Sequence, residues 1–247
     1  FGTRSAPIGH TTAAGGTLRE QLRIVAGVRD FRLLLTTFMI QALGIGAMLA
    51  GVDYMARVVL ENRGASTILF VCFVGPALLL TPVGAAVGAR VGKKRGYVAA
   101  SAFLATGAIL LVLAQQVPPA VVFLATGLVG VGYAGAQVFP MAMLPDTAAV
   151  DSARTGENRA GVYTGVWTAG ETLGLALGPA VFAVVLALGG YLSSEGREIT
   201  QPDSALTAIT LGFSVLPAVL TLLSLWWLRQ YTLDAAEVAA AEGAVRA

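Results

Sequence analysis

The sequence predicts an all-α membrane protein built on six transmembrane helices, and three observations carry that prediction. The 247-residue chain is 56% hydrophobic and 12% charged, with a mean hydropathy of +0.75, whereas a soluble domain carries about 25% charged residues. Lipid does not solvate ions, so this deficit is what a bilayer-embedded chain needs. Six apolar stretches each reach the roughly 20 residues that span ~30 Å of hydrocarbon. Lys and Arg gather on alternate connections between them. Transmembrane β-strands are excluded, because those are about ten residues long and alternate in polarity. The 30 glycines then read as close helix packing, since the chain is too apolar to remain disordered.

In chain order, Phe1–Gly16 is rich in Gly and Thr, lacks an initiating Met and a signal-peptide pattern, and reads as the interior of a longer polypeptide cut at a loop. Leu18, Leu22, Val25 and Val28 then recur at helical spacing among Arg19, Arg23 and Arg29. This is either a short amphipathic helix on the inner membrane surface or an extension of the first span. The spans are Leu33–Val52, Gly64–Ala89, Gly96–Val117, Pro118–Pro145, Gly161–Gly190 and Ala205–Leu228. The polar and proline break at Gln115–Pro119 forces a tight hairpin between the third and fourth. Residues 1–30 thus precede a six-helix bundle over 31–228, and 229–247 form a tail. The Ala- and Glu-rich part from Thr232 offers no apolar face and is expected to fray.

Orientation follows from the cations. With the N-terminal side cytoplasmic, the inside segments hold thirteen Lys and Arg, from Arg4 through the Arg90, Lys93, Lys94, Arg95 cluster to Arg246. The outside segments hold three: Arg57, Arg63 and Arg197. Both ends are therefore expected in the cytoplasm, and Trp226 and Trp227, just before Arg229, fit an interfacial anchor on the same side.

The fifth stretch departs from the apolar pattern at one position. Glu171 is the only charge between Ala160 and Tyr191, and eleven residues of helix place it ~16 Å deep. An ionised side chain there costs roughly 2.5–3.5 kcal/mol on insertion scales, and such residues mark substrate or ion pathways. Thr164, Thr168, Glu171 and Thr172 share a helix face, with Trp167 toward one edge and Tyr163 a turn before it. The face either lines an aqueous cavity, or the hydroxyls bond back to their own helix and Trp167 meets lipid. Gly170, Gly174 and Gly178 form a separate ridge suited to close approach by a neighbouring helix. Asp53 and Arg57 read as a surface pair. Asp146, Asp151, Arg154, Glu157 and Arg159 fall in a predicted loop, either a latch on the inward face or simply solvated.

Other chemistries lack their residues. One cysteine, Cys72, and one histidine, His10, allow no internal disulfide and no metal site. No nucleophile–base pair suggests an enzyme, and nothing suggests a nucleic-acid partner or a bound cofactor.

Three motifs carry a resemblance. The stretch Pro82–Tyr97 contains Arg90-x-Gly92-Lys93-Lys94 and is similar to the Gly-x3-Asp-Arg-x-Gly-Arg-Arg loop of the major facilitator superfamily, with Ala89 at the Asp position. Met143-Leu144-Pro145-Asp146 with Gly190-Tyr191, and Asp53-Tyr54-x2-Arg57-Val-Val-Leu60, resemble the ends of the tenth, eleventh and seventh helices in the glycoside–pentoside–hexuronide:cation symporters. The resemblance covers Phe31 to Tyr191. It implies the C-terminal half, helices seven to twelve, of a twelve-helix, melibiose-permease-like carrier of the plasma membrane. Each half would consist of two inverted three-helix repeats, with solute held at the midplane between this half and an N-terminal six-helix half. It also implies symport of a sugar or glycoside-like small molecule with a coupling cation, proton or sodium. Gln137, Trp167 and Thr168 fall where the family places cavity residues. The family's eleventh-helix Lys corresponds to Thr172, beside Glu171. That departure favours protons, since a desolvated carboxyl can take up and release one. An amphiphile such as a lysophospholipid is the alternative substrate. A non-transporting assembly subunit is the alternative of another class, against which the insertion cost of Glu171 argues.

Overall fold

The computed structural model describes residues 17–193 and 199–246. The expectations that rest on Phe1–Gly16, His10 included, and on Arg197 lie outside the described residues. Nine α-helices are described there and no strand, and six helical segments are long and apolar enough to cross a bilayer: Arg29–Val59, Ala65–Gly84, Lys93–Leu113, Pro119–Thr155, Ala160–Leu188 and Asp203–Arg229.

Helix α1 (Leu18–Gly27) opens with a reciprocal cap in which the Glu20 amide donates to Thr17 Oγ1 at 3.4 Å and the Thr17 amide donates to Glu20 Oε2 at 2.8 Å, satisfying two orphan donors of the first turn. Val28 is extended (φ −92°, ψ 107°), so α1 is a separate helix and not an extension of the first span. Val25 is buried in the bundle, while Leu22 is exposed. Helix α2 (Arg29–Tyr54) runs on through a π-helical turn, Met55–Val59. Helix α3 (Ala65–Val91) contains Pro76 and Pro82, and a single residue, Gly92, separates it from α4 (Lys93–Leu110). Gly92 has φ +88°, a left-handed conformation that favours glycine.

Pro119 occupies the first turn of α5 (Pro119–Thr155), where its missing amide costs nothing. The sequence expectation that this span ends at Pro145 needs correction. The helix passes through Pro140 and Pro145 and stops at Gly156, which has φ +72°. Membrane helices tolerate prolines within a span where neighbouring helices shield the freed backbone groups; Pro140 is buried in this way, whereas Pro145 is exposed. Asp146 and Asp151 are therefore helical, and the connection to α6 (Ala160–Leu188) shrinks to 156–159. The last span is divided at Ser214 (φ −116°, ψ −70°) into α7 (Asp203–Phe213) and α8 (Val215–Arg229).

The tail also departs from expectation. Residues Ala235–Arg246 form α9, packed on α5. The Glu237 amide donates to Asp234 Oδ1 at 2.8 Å, Arg154 pairs with Glu237 at 2.7 Å, and Tyr231 and Ala241 are buried. An Ala-rich segment needs little apolar area to hold a helix once its N-terminus is capped.

The packing has an internal symmetry. α2 lies against α6 as α5 lies against α3; α4 lies against α5 as α7 and α8 lie against α2; and α4 touches α8. Exchanging α2, α3 and α4 with α5, α6 and the α7–α8 pair maps these contacts onto themselves. Both principal contacts depend on glycine. A Cβ at Gly46 of α2 would lie 2.5 Å from the Leu175 carbonyl oxygen of α6, and one at Gly130 of α5 would lie 2.5 Å from the Cys72 carbonyl oxygen of α3. At α2–α4–α8, buried Gln41 donates Nε2 to Ser101 Oγ at 3.0 Å and to Ser224 Oγ at 2.9 Å. Such interhelical bonds contribute about 0.6–2 kcal/mol in a bilayer and fix the register of three helices at one point.

Gln116 is exposed in the α4–α5 turn, and Lys94 begins α4 at its other end. In intact right-side-out cells, a cysteine at Gln116 should react with an impermeant thiol reagent while one at Lys94 stays protected. Labelling of Lys94→Cys would reverse the orientation inferred from the cations.

Candidate functional site

Helix α6 divides lengthwise. Val162, Tyr163, Val166, Trp167, Gly170, Gly174, Gly178, Phe182 and Leu186 are buried. The glycines Gly170, Gly174 and Gly178 form the expected ridge, meeting in turn Leu35 and Met39, Met39 and Ala42, and Gly46 and Ala47 of α2. The opposite side is an open groove of about 780 Å³ lined by Thr164, Gly165, Thr168, Ala169, Thr172, Leu173 and Ala176. The three threonines thus form one exposed polar stripe, confined to the half of the helix that starts at Ala160 and followed by exposed Leu177, Val184 and Leu188. Thr164 Oγ1 donates to the Ala160 carbonyl at 3.0 Å and Thr172 Oγ1 to the Thr168 carbonyl at 2.8 Å. Each hydroxyl is satisfied as a donor and keeps its acceptor lone pairs free.

Glu171 is half-buried at the edge of this stripe and makes no hydrogen bond or ion pair among the described residues. Its neighbours at helical spacing are Thr168 on the exposed side and Trp167 on the buried side. Gln137 of α5 is half-buried and donates Nε2 to Tyr133 Oη at 3.1 Å; the Tyr133 ring stacks on Phe73 of α3.

Trp167 and Tyr163 are not at a cavity edge, nor does either meet lipid. Trp167 is 1% exposed and stacks on Phe38 of α2 with centroids 4.5 Å apart, and Tyr163 meets Phe31 edge-on at 4.8 Å. Both rings belong to the α2–α6 core. The physical reason is their register: they share the face of the glycine ridge, where aromatic bulk fills the space left between two helices before the glycines bring them together.

The charged residues gather along α5, at its contacts with the start of α4 and the start of α6. Lys93 Nζ donates to Asp146 at 2.7 Å and to the Ala142 carbonyl at 3.0 Å, tying α4 to α5. Arg159 lies 3.6 Å from buried Asp151 and 2.9 Å from Glu157, tying the start of α6 to the end of α5. Lys94 donates to the carbonyls of Arg229, the last residue of α8, and of Tyr231 just after it. Arg90 is exposed and has no partner among the described residues. The expected latch residues are thus mostly engaged with one another inside this bundle. The sequence missed the Lys93–Asp146 tie because Asp146 was assigned to a loop. Among the described residues, the hydroxyl of Tyr163 is buried without a hydrogen-bond partner, and Asp151 Oδ2 has only the 3.6 Å ion pair with Arg159.

An internally symmetric bundle of six spans, with a threonine-lined groove and a charged rim, narrows the choice of families. Residues 5–235 match the family described as MFS/sugar transport protein. The chain belongs to this family, within the major facilitator superfamily. No curated protein matches the sequence. As an MFS protein the chain is an integral membrane protein of a transporter class, and its six apolar helices are long enough to cross the bilayer.

Proposed function

We propose that this chain is one six-helix half of a secondary carrier that moves a sugar or glycoside-like solute together with a cation, protons in preference to sodium. It would work by alternating access, rocking against an N-terminal six-helix half of the same carrier to which residues 1–30 lead. The carrier would sit in the plasma membrane with both termini of this half in the cytoplasm.

The observation that carries the reading is the exposed threonine stripe on α6. Polar groups turned toward lipid gain nothing, so a water-lined space against another protein surface is the better account of three in a row. The two symmetry-related helices α3 and α6 are also the least covered of the six, with 11% and 22% of their apolar windows buried against 44–56% for the others. They define the face on which the other half would close. On this reading Thr164, Thr168, Thr172 and Gln137 hydrogen-bond the solute, and Glu171 carries the proton. Trp167 acts indirectly, by fixing α6 against Phe38. The Lys93–Asp146 and Arg159–Asp151 ties, with Lys94, keep the cytoplasmic ends of α4, α5 and α6 moving as one body, and Arg90 stays exposed at the same rim.

The test is radiolabelled uptake by the full carrier across a panel of sugars and glycosides. The Thr168→Val, Thr172→Val double variant should raise the KM of the transported solute about ten-fold, as expected for losing two neutral hydrogen bonds, at an unchanged level in the membrane. An unchanged KM would remove the stripe from the solute site.

A further inference from the structure

A second cavity lies away from the α6 stripe. α3 and α4 leave Gly92 in different directions; each rests along α5, but they touch one another little. Between them is a groove of about 510 Å³, within the range of ligand pockets and too large for a packing defect. Leu80 and Val83 form one wall, Ala99 and Phe103 the other, and Val131 and Phe139 of α5 line the floor. The Phe139 ring closes the groove beneath the Gly92 joint, where a Cβ at Gly88 would lie 3.3 Å from it. Val83 and Phe103 are each about half exposed, so the groove is open along its length. From Arg95 to Phe103 is eight residues of helix, ~12 Å of depth, which reaches well below the headgroup level.

Among the described residues, one charged side chain lines this otherwise apolar groove: Arg95, in the first turn of α4. The four cations between Arg90 and Arg95 divide into two pairs. Lys93 and Lys94 are engaged with Asp146 and with backbone carbonyls, whereas Arg90 and Arg95 are exposed and have no partner among the described residues. An apolar trough running into the membrane, with an uncompensated guanidinium at its mouth, is complementary to one kind of molecule. We propose that this groove holds an acyl chain of an anionic phospholipid, with the lipid phosphate on the Arg95 guanidinium and further positive potential from Arg90. Guanidinium presents a planar fork that matches two phosphate oxygens, and basic pockets between spans at the cytoplasmic side are known seats for such headgroups. The proposal is independent of which solute the carrier moves.

The experiment uses the purified full carrier, equilibrated with phosphatidylglycerol and phosphatidylcholine of identical chains and then delipidated, with retained lipid counted by native mass spectrometry. The parent should keep phosphatidylglycerol in preference to phosphatidylcholine. Arg95→Gln should lower that retention about ten-fold, the loss expected for a charge-assisted hydrogen bond. Ala99→Phe fills the groove without touching any charge and should lower it comparably, with Ala99→Leu taking its place if the Phe variant does not elute as a single species. Arg229→Gln removes an exposed cation at the end of α8 and should change nothing. Equal losses for Arg229→Gln and Arg95→Gln would reduce the effect to diffuse surface charge and overturn the proposal. Full retention in the groove-filled variant would overturn it as well.

Discussion

Glu171→Gln is expected to abolish pH-driven accumulation of solute by the full carrier, so that inside and outside concentrations become equal, while downhill exchange continues. The side chain is half-buried at membrane depth, borders Thr168 and Thr172, and has no partner among the described residues. Glutamine keeps its size and hydrogen-bonding capacity but fixes the neutral state, and exchange does not require the proton to leave. Thr172→Lys should instead place an ammonium beside the carboxylate, hold it ionised and damage both activities. Counterflow and pH-jump uptake in the same vesicles separate the two outcomes. Uphill accumulation equal to that of the parent in Glu171→Gln would make the residue structural and assign coupling to the other half.

The second large effect is on stability. Gly178 faces the backbone of Gly46 and Ala47, so any Cβ there must push α6 away from α2, whereas Gly161 on the same helix has nothing within 4 Å of its Cβ position. Gly178→Ala and Gly161→Ala change chain entropy equally, so the difference between them isolates the contact. Gly178→Ala should destabilise by about 1–3 kcal/mol through overpacking, and Gly161→Ala should stabilise by up to about 1 kcal/mol. Gly178→Leu should prevent accumulation of folded protein. Thermal unfolding in detergent reads both alanine variants, and equal midpoints would show that the α2–α6 contact can relax without cost.

The six spans were legible in the sequence because hydrocarbon imposes a length and forbids charge, and both constraints act locally. The helix face that meets a neighbour was legible only where glycine marked it. Trp167 shows the difference. Helical spacing puts it toward one edge of the face that carries Thr168, which suggests the polar stripe. It also stands three residues before Gly170 and seven before Gly174, which puts it on the packed ridge. The continuation of α5 through Pro145 was hidden for another reason. Proline stops helices in water, so Pro145 reads as an end, yet the helix runs past it to Thr155. In the tail, Asp234 three residues before Glu237 was a capping signature passed over because the segment had no apolar face.

The exchange symmetry of the packing has a consequence for how such a chain can arise by duplication. A unit of three spans enters on one side of the membrane and leaves on the other, so a second copy in tandem is read by the insertion machinery upside down. Whatever a duplicated unit inherits for packing remains useful, because helix contacts are indifferent to which compartment lies above them. Its cations are not. The joint between the second and third spans of the first unit carries Arg90, Lys93, Lys94 and Arg95, while the matching joint of the second, between α6 and α7, carries Arg197 alone. Two descendants of one ancestor would therefore have to diverge first in their basic residues, and glycine positions such as Gly46 and Gly130 are where a common origin would persist longest.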